Sequence, residues 1–433
     1  MKAMENREPA LSRSPSSRTE LSKERSLSGA ERAVPEPVEG MKKGWKTKTL
    51  GEVCDFDKAQ GIHRGLPYVG LEHIESHTAR FIGSSEAQPV KSSTFRFSEE
   101  HVLYGRLRPY LNKALAPDFE GHCSTEIFPL KPSPELSREY LLFWLLADET
   151  CDRINATCTG ARMPRAQMND VLGFEIPVPP LAEQQRIVGL LDEACEGLAT
   201  AQANAEKNLQ NARALFESHL QSVFTQGSQS AAEGRGPGWV EKRLGDLSRI
   251  NYGYTESASF EKVGPHFLRI TDIQDNGVDW DTVPYCPIDA SDLPKYKLAD
   301  GDIVFARTGA TTGKSYLVSN PPESVFASYL IRVQLSDKEL LPQFVNLFFQ
   351  THSYWDTIRA GVSGSAQGGF NATKLGELVI PFPKSSKEQM SVVAKLDKLT
   401  IATQRLARLY ERKLAALEAL KKSLLHQAFT GEL

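Results

Sequence analysis

Two long stretches of the chain carry apolar or small residues at spacings that alternate mainly between three and four, and neither contains a proline. In 181–226 these positions are Ile187, Leu191, Ala194, Leu198, Ala201, Ala205, Leu209, Ala212, Phe216 and Val223. In 386–430 they are Val393, Leu396, Leu399, Thr403, Leu406, Tyr410, Leu414, Leu417, Leu420 and Leu424. The spacing predicts two coiled-coil helices, each spanning about 60 Å for about forty residues. We expect Leu198 and Leu406 to face the seam between them.

The regions that precede each predicted long helix have a different pattern, in which short apolar runs alternate with Gly, Pro and Asn turns. Segments 68–71 and 302–305 predict strands. Segments 139–147 and 343–349 predict helices at matching places, and we expect their aromatic residues to pack in cores. These mixed regions therefore predict two globular heads.

The sequence also repeats itself once, with a period of about 200 residues. Four segments recur in the same order: 45–53 at 239–247, 176–179 at 380–383, 183–184 at 388–389, and 224–225 at 429–430. Chance matches would not keep this order. The sequence is therefore predicted to be a tandem duplication in which each unit is a head followed by a long helix.

Two long helices in one chain can bury each other's apolar stripe, and a globular region between them favours an antiparallel pair. The predicted fold class is α+β: two similar α/β heads separated by two long antiparallel coiled-coil helices, related by a pseudo-twofold tandem repeat. The predicted segments are a disordered tail over 1–40, a first head over 41–180, a first long helix over 181–226, a linker over 227–238, a second head over 239–383 and a second long helix over 384–433.

Composition adds information on the start of the chain and on its surroundings. Residues 1–40 contain no aromatic residue and balance their charges, which is typical of disorder, and translation from Met41 is a hypothesis. The net charge of −3 argues against indiscriminate coating of nucleic acid, although a local basic face remains compatible with it. No apolar run approaches the ~20 residues of a membrane span or resembles a signal peptide. Six scattered cysteines without a C-x-x-C pair predict a reduced, cytoplasmic protein with no membrane partner.

Polar and basic loops follow a strand at matching places in the two predicted heads. Arg forks suit guanine and Asn suits adenine, whereas Lys, Thr and backbone amides suit phosphate. The candidates in the first head are Arg106, Arg108, Tyr110, Asn112 and Lys113, with Arg162 and Arg165 in a second loop. Those in the second head are Arg307, Thr308, Thr311, Thr312 and Lys314, with Gln367 and Asn371 in a second loop. The alternative is that these are ordinary solvated loop residues without a binding role.

The two heads share framing segments but diverge strongly between them. Two heads that share their framing segments but differ between them would suit two different ligands held at a fixed distance. On DNA, two readers separated by a rod would specify a bipartite site, each head reading one half. The alternative is a coiled-coil scaffold whose two heads bind protein. Only DNA binding should fall steeply as salt rises, because released counterions drive it.

Enzymatic readings find little support, and we predict no catalytic residue and no metal site. Segment 308–315 resembles a phosphate-binding P-loop, but three residues rather than four separate its glycines, and a strand pattern follows where a helix is needed. The Asn-Pro-Pro run at 320–322 lacks the aromatic residue of methyltransferases, since Glu323 follows it. Cys123, beside His122, is expected to be a buried thiol. Four histidines lack the spacing of metal ligands: His63, His73, His101 and His122.

Several motifs together point to one family. These are the Trp-to-Leu-Gly-acidic openings at 45–52 and 239–246, the Arg-Leu-Arg-Pro-Tyr-Leu loop at 106–111, the Ile-Pro-Val-Pro-Pro-Leu-Ala-Glu-Gln junction at 176–184 and the closing segment at 429–433. With them, residues 41–433 resemble the specificity subunit of a type I restriction–modification system. The second head departs from the pattern, because it lacks the Arg-Pro-Tyr-Leu run and its junction lacks the Pro-Pro-Leu.

The resemblance implies a subunit that has two target-recognition domains and no catalytic activity of its own. It implies double-stranded DNA as one partner and two adenine methyltransferase subunits, docked on the long helices, as others. A restriction subunit with ATP-driven translocase and nuclease activity would join them. No cofactor is implied for this chain, since S-adenosylmethionine, ATP and magnesium would belong to the partner subunits.

Overall fold

The structure is a computed structural model, and it describes residues 44–88, 90–160, 162–233, 238–274, 277–336, 339–363 and 369–433. The tail expected to be disordered, 1–40, lies outside these residues. No helix in the described ranges combines the length and the apolar character that crossing a membrane requires.

The first head is built on a four-stranded sheet with the order β2-β9-β6-β7 and a second sheet with the order β3-β5-β8-β4. Its strands are β1 Lys46–Thr49, β2 Cys54–Phe56, β3 Gln60–Gly61, β4 Tyr68–Val69, β5 Thr94–Phe97, β6 Val102–Gly105, β7 Ala114–Leu115, β8 Gly121–Cys123, β9 Ile127–Pro132 and β10 Glu175–Val178. Its helices are α1 Leu50–Val53, α2 Arg138–Leu146, α3 Asp148–Ala156 and α4 Met168–Leu172, with 3-10 turns at Leu71–His73 and Pro109–Leu111. The first long helix, α5 Leu181–Glu233, follows.

The second head has the equivalent four-stranded sheet, with the order β12-β19-β16-β17. Its strands are β11 Trp239–Arg243, β12 Ser248–Tyr252, β13 His266–Leu268, β14 Ile273–Gln274, β15 Gly277–Val278, β16 Ile303–Ala306, β17 Ser315–Leu317, β18 Ser324–Phe326, β19 Leu330–Leu335 and β20 Val379–Pro383. Its helices are α6 Leu244–Leu247, α7 Leu293–Tyr296, α8 Pro342–Phe348, α9 His352–Ser363 and α10 Ala372–Gly376, with a 3-10 turn at Ile270–Asp272. The second long helix is α11 Ser386–Thr430.

The predicted duplication is therefore visible in three dimensions. In each head the first strand pairs antiparallel with the last one, β1 with β10 and β11 with β20. Each head also contains one parallel pair at the same place, β4 with β8 and β13 with β18. The buried helices expected at 139–147 and 343–349 are α2 and α8, and both contribute aromatic residues to a core. The predicted fold class is confirmed.

The repeated Leu-Gly pair closes each head at the same point. The backbone amide of Leu50 donates to Phe174, and that of Leu244 donates to Leu378, both at 2.8 Å. A Cβ on Gly51 would lie 3.3 Å from the nearest backbone oxygen, and one on Gly245 would lie 3.2 Å from another. Glycine recurs here because α1 and α6 approach the backbone at the end of α4 and α10 so closely.

The repeated Glu-Gln pair anchors each long helix to its head. The Gln184 side chain is fully buried; its amide donates to the carbonyls of Glu135 and Pro179, both at 2.8 Å. Its oxygen accepts from the backbone amide of Ser137 at 2.7 Å. Gln389 repeats this arrangement: it donates to two carbonyls and accepts from the amide of Leu341 at 2.9 Å. We refer to these two arrangements as the glutamine clamps.

The two long helices run antiparallel and form a rod between the heads. Near one end of the rod the Arg186 guanidinium donates to the main-chain oxygen of Leu433 at 2.8 Å. Near the middle, Arg213 and Glu411 form an ion pair at 2.9 Å. Towards the other end Leu396 of α11 joins the same buried cluster as residues near the end of α5. Helix α5 extends to Glu233, past the predicted end at 226.

Each long helix starts at one head and ends against the other. Phe224, late in α5, packs on Phe344 of the second head, with ring centroids 5.1 Å apart. Phe429, late in α11, packs on Tyr140 of the first head at 5.2 Å. The repeated Phe-Thr segment is therefore the point at which each helix is fixed to the opposite head.

The seam agrees with the expectation on α5 but is shifted on part of α11. Leu198 is half-buried, and the other predicted seam positions of α5 are buried or half-buried. On α11, Leu406 and Leu420 are 40% and 49% exposed, so the expectation that Leu406 faces the seam is wrong. The less exposed neighbours are Ala407 and Lys421, the latter donating to a backbone carbonyl of the first head. Hydrophobicity alone does not predict these positions, because a small alanine and a hydrogen-bonded lysine are less exposed than the leucines beside them.

Replacing Leu396 by alanine should destabilise the protein by about 2–5 kcal/mol, since it opens a cavity at a fully buried position of the rod. Leu406→Ala is the matched control and should cost about 1 kcal/mol or less. Thermal or denaturant unfolding of the two variants measures the difference. Equal destabilisation by both would contradict the seam described here.

Candidate nucleic-acid interface

The first candidate loop of the first head follows β6 and is held tightly by its backbone. Arg108 adopts a left-handed conformation with φ of 53°, and its amide donates to the carbonyl of Pro164 at 2.8 Å. This bond joins the first candidate loop to the second one, which contains Arg162 and Arg165. The side chains of Arg108, Tyr110 and Arg162 are exposed, Tyr110 by 50%. The structure therefore brings both loops of this head together at one edge.

Two arginines in this cluster share one carboxylate. Arg165 donates through Nε and Nη2 to Glu126 at 3.0 and 2.8 Å, and this hydrogen bonding raises the pKa of Arg165. The Nε atom of Arg106 lies 4.0 Å from the same carboxylate. The Arg106 guanidinium also lies over the ring of Phe128, 5.2 Å from its centroid. Cation–π contact and charge together fix the direction in which Arg106 extends.

Two residues predicted to contact DNA in this loop face the protein instead. Asn112 is fully buried, and its Nδ2 donates to the carbonyl of Leu146 at 3.0 Å. Lys113 is half-buried, and its ammonium group donates to the carbonyl of Leu71 at 2.6 Å. A buried amide or ammonium group needs such partners, because leaving it unpaired is costly. Both residues stabilise the loop, and we remove them from the candidate contacts.

The candidate loop of the second head connects β16 to β17 as a hairpin. Gly309 and Gly313 have φ of 77° and 97°, which explains the two glycines of the P-loop-like segment. A strand follows this loop, as the sequence predicts, so the helix N-terminus that a P-loop requires does not follow it. Arg307 begins the loop with its guanidinium 4.9 Å from the ring centroid of Tyr252. Thr311 is exposed at the tip of the hairpin.

The remaining candidates of the second head divide between exposed and structural positions. Thr308 and Lys314 are half-buried. Thr312 is 9% exposed and its hydroxyl donates to the carbonyl of Gly309 at 2.8 Å, so it stabilises the hairpin. Asn371 is exposed, but its side chain caps α10 by accepting from the amide of Lys374 at 2.9 Å. Gln367 lies outside the described residues.

Among the described residues, no group of three or more His, Cys, Asp or Glu side chains is placed to hold a metal ion. Cys123 is fully buried, and burial raises the pKa of its thiol, which suppresses the nucleophilic thiolate. Asn320, in the Asn-Pro-Pro run, occupies a left-handed position in the connection between β17 and β18.

Several neighbours of the candidate arginines were missed on the sequence: Glu126, Phe128, Tyr252 and Tyr329. Glu126 and Tyr329 directly precede β9 and β19, the strands paired with β6 and β16. Alignment of the two repeats could have indicated that Glu126 and Tyr329 occupy equivalent positions. Their contact with the arginines depends on strand pairing between segments about twenty residues apart, which only the fold provides.

Family comparison identifies the class of this architecture. The family described as "Type I restriction modification DNA specificity domain" matches residues 42–207 and again 237–414. The two matches cover most of the chain and correspond to the two halves of the duplication. The chain belongs to this family of DNA specificity domains and carries the domain twice.

The specificity subunits of two type I restriction enzymes from Escherichia coli are similar in sequence. The EcoKI subunit is 25% identical over 65% of this chain and 62% of its own length. The EcoDI subunit is 27% identical over 42% of this chain and 40% of its own length. The matches thus span less than two thirds of either relative.

Two solved structures share the fold. The HsdS subunit from Thermoanaerobacter tengcongensis has a TM-score of 0.63 at 22% identity, covering 91% of this chain and 98% of that one. A chain from a study of complex assembly and conformational transition in a type I R-M system has a TM-score of 0.73, also at 22% identity. That match covers 91% of this chain and 99% of the other.

Arg108→Ala and Asn112→Ala should separate contact from structure within one loop. Asn112→Ala should lower the free energy of unfolding by about 1–3 kcal/mol, because it leaves a buried carbonyl unpaired. Arg108→Ala should leave stability within about 0.5 kcal/mol, since its side chain is exposed. Denaturant unfolding measures both. Strong destabilisation by Arg108→Ala would show that this side chain serves the fold.

Proposed function

We propose that this chain is the DNA-recognition subunit of a type I restriction–modification complex, without catalytic activity of its own. In this proposal each head reads one half of a bipartite double-stranded DNA site. The single observation that carries it is the pair of DNA specificity domains held at opposite ends of an antiparallel rod. The family match favours DNA over the alternative of protein-binding heads.

Each head consists of a repeated scaffold, which we call the frame, and of candidate loops, which we call the tips. The contrast between the similar frames and the different tips supports one half-site per head. The frame is repeated in detail: the paired first and last strands, the Leu-Gly closure and the glutamine clamps recur in both heads. The candidate loops differ, since the first head presents Arg108 and Tyr110 where the second presents a glycine-rich hairpin with Thr311. Two heads with the same frame and different tips would read different bases at a fixed separation.

The rod offers a surface for the partner subunits. Leu406, Leu409 and Leu420 are 40%, 49% and 49% exposed and lie on one flank of α11, because they are spaced by three and eleven residues. Exposed apolar residues in a row are typical of protein interaction sites. We propose that such flanks bind two adenine methyltransferase subunits, which a restriction and translocase subunit then joins. We call Leu406, Leu409 and Leu420 the leucine flank.

The chemistry of the complex would reside in those partners. S-adenosylmethionine, ATP and magnesium would bind to the methyltransferase and restriction subunits, and this chain would contribute position and sequence choice. The proposed location is the cytoplasm, where the DNA and the partners are available.

Methylome sequencing of cells that express this chain with its partner methyltransferase tests the proposal. The expected result is N6-methyladenine at a single split motif, two short specific segments separated by unspecified bases. A second experiment replaces residues 239–383 by the corresponding head of a relative and should change one segment only. Methylation without sequence preference, or at one continuous motif, would contradict the proposal.

Leu406→Asp should weaken assembly with the methyltransferase without unfolding the rod, since the residue lies outside the seam. Leu406→Met is the matched control, because it keeps the apolar surface. We expect at least a tenfold loss of affinity for the aspartate variant and little change for methionine, measured by co-purification and titration. Normal assembly of the aspartate variant would exclude the leucine flank as the docking surface.

A further inference from the structure

The two heads place an arginine at the same structural position. The amide of Arg106 donates to the carbonyl of Glu126 at 2.9 Å, and the amide of Arg307 donates to that of Tyr329 at 3.2 Å. The carbonyls of both arginines accept from the second candidate loop of their own head, each at 2.9 Å. Four backbone bonds therefore fix Arg106 and Arg307 as equivalent residues, although the sequences of the loops that follow them differ between the arginine and the next lysine.

The side chains of these arginines are held in the same way. Each guanidinium lies over an aromatic ring, Phe128 for Arg106 and Tyr252 for Arg307, at 5.2 and 4.9 Å from the centroid. In each, the Nε atom is buried and has no hydrogen-bond partner within the described residues. Stacking thus orients the side chain of each arginine. We call Arg106 and Arg307 the stacked arginines.

What differs is the residue whose carbonyl receives the arginine amide. In the first head it is Glu126, whose carboxylate binds Arg165 and lies 4.0 Å from Arg106. In the second head it is Tyr329, whose side chain is 61% exposed. The partner loop changes accordingly. Arg165 directly precedes the residue that binds the Arg106 carbonyl, and Gly369 holds that place in the second head.

We propose that Glu126 and Tyr329 determine how the two heads differ in the bases that they read. This inference rests on the proposed function and concerns the same surface. Glu126 is a positioning residue: it fixes the fork of Arg165 and partly neutralises the cluster, which favours directed hydrogen bonds to a base edge over attraction to phosphate. Tyr329, whose carbonyl accepts from the Arg307 amide, has an exposed ring that offers an apolar surface suited to the methyl group of thymine.

The groups around the two stacked arginines support this division. Arg106 and Arg165 share the carboxylate of Glu126, whereas Arg307 lies over the ring of Tyr252 and donates its amide to the carbonyl of Tyr329. The two sites therefore differ in the groups that surround the arginine. One site presents arginine forks held by a carboxylate, and the other presents one arginine flanked by tyrosine.

The test is the methylated motif produced by the chain assembled with its methyltransferase. Glu126→Ala should relax base preference in one segment of the split motif by about tenfold or more, a typical effect of losing a bidentate contact. Tyr329→Ala should relax the other segment, and the spacing should stay unchanged in both. Glu126→Gln keeps an acceptor but loses the charge, and should retain part of the preference; Tyr329→Phe keeps the ring and should retain most of it.

Matched controls lie in the same heads, away from these positions. Glu120→Ala removes another arginine ion pair of the first head, with Arg96, and Phe260→Ala removes an aromatic side chain of the second that is 81% exposed. Both controls should leave the motif unchanged.

An unchanged motif in folded Glu126→Ala and Tyr329→Ala proteins would overturn this inference while leaving the proposed function intact. Should an alanine variant fail to fold, an altered segment in Glu126→Gln, with Tyr329→Phe unaltered, supports the inference, and wild-type preference with Glu126→Gln overturns it. Absence of a split motif with the wild-type chain would overturn the proposed function itself.

Discussion

The antiparallel contact between α5 and α11 is the interaction on which the whole arrangement depends. A single amphipathic helix of this length would expose its apolar stripe to water, and pairing removes that cost for both helices at once. Each helix is fixed at its start by a glutamine clamp and near its end by an aromatic contact with the opposite head. Bending the rod would therefore disturb the cores of both heads.

The rigid rod fixes the separation between the candidate loops of the two heads. The proposed function requires that the loops of the two heads reach their half-sites at a defined distance and rotation. The frame provides that definition through buried contacts, whereas the tips keep exposed side chains such as Arg108 and Tyr110. The buried contacts and the exposed candidate loops thus lie in different parts of each repeat.

The architecture could be predicted from the sequence because its signals are collinear and periodic. The duplication, the long helices and the strand-then-loop position of Arg106 and Arg307 all follow from patterns that depend on spacing. The direction of individual side chains could not be predicted in the same way. Asn112 and Thr312 have the chemistry of DNA contacts, but they satisfy carbonyl groups made available by the surrounding fold.

Leu406 and Glu126 also show that residue spacing alone does not determine what a side chain contacts. Leu406 fits an apolar repeat as well as its true seam neighbour does, and only the packed helix pair selects between them. Glu126 carries no motif at all, since its role arises from pairing between β6 and β9. A candidate site that depends on strand pairing between distant segments can therefore be recognised in the structure but not from residue spacing in the sequence.

The glutamine clamps have a consequence for how such proteins diversify. Every atom that Gln184 and Gln389 bind is a backbone amide or carbonyl, which any sequence supplies. The clamp itself therefore places no demand on the side chains of the residues that it binds. The far ends of the helices do place such a demand, because Tyr140 and Phe344 must remain for Phe429 and Phe224 to pack on them. Each head is thus free to change in sequence where the clamp holds it and constrained where the opposite helix ends.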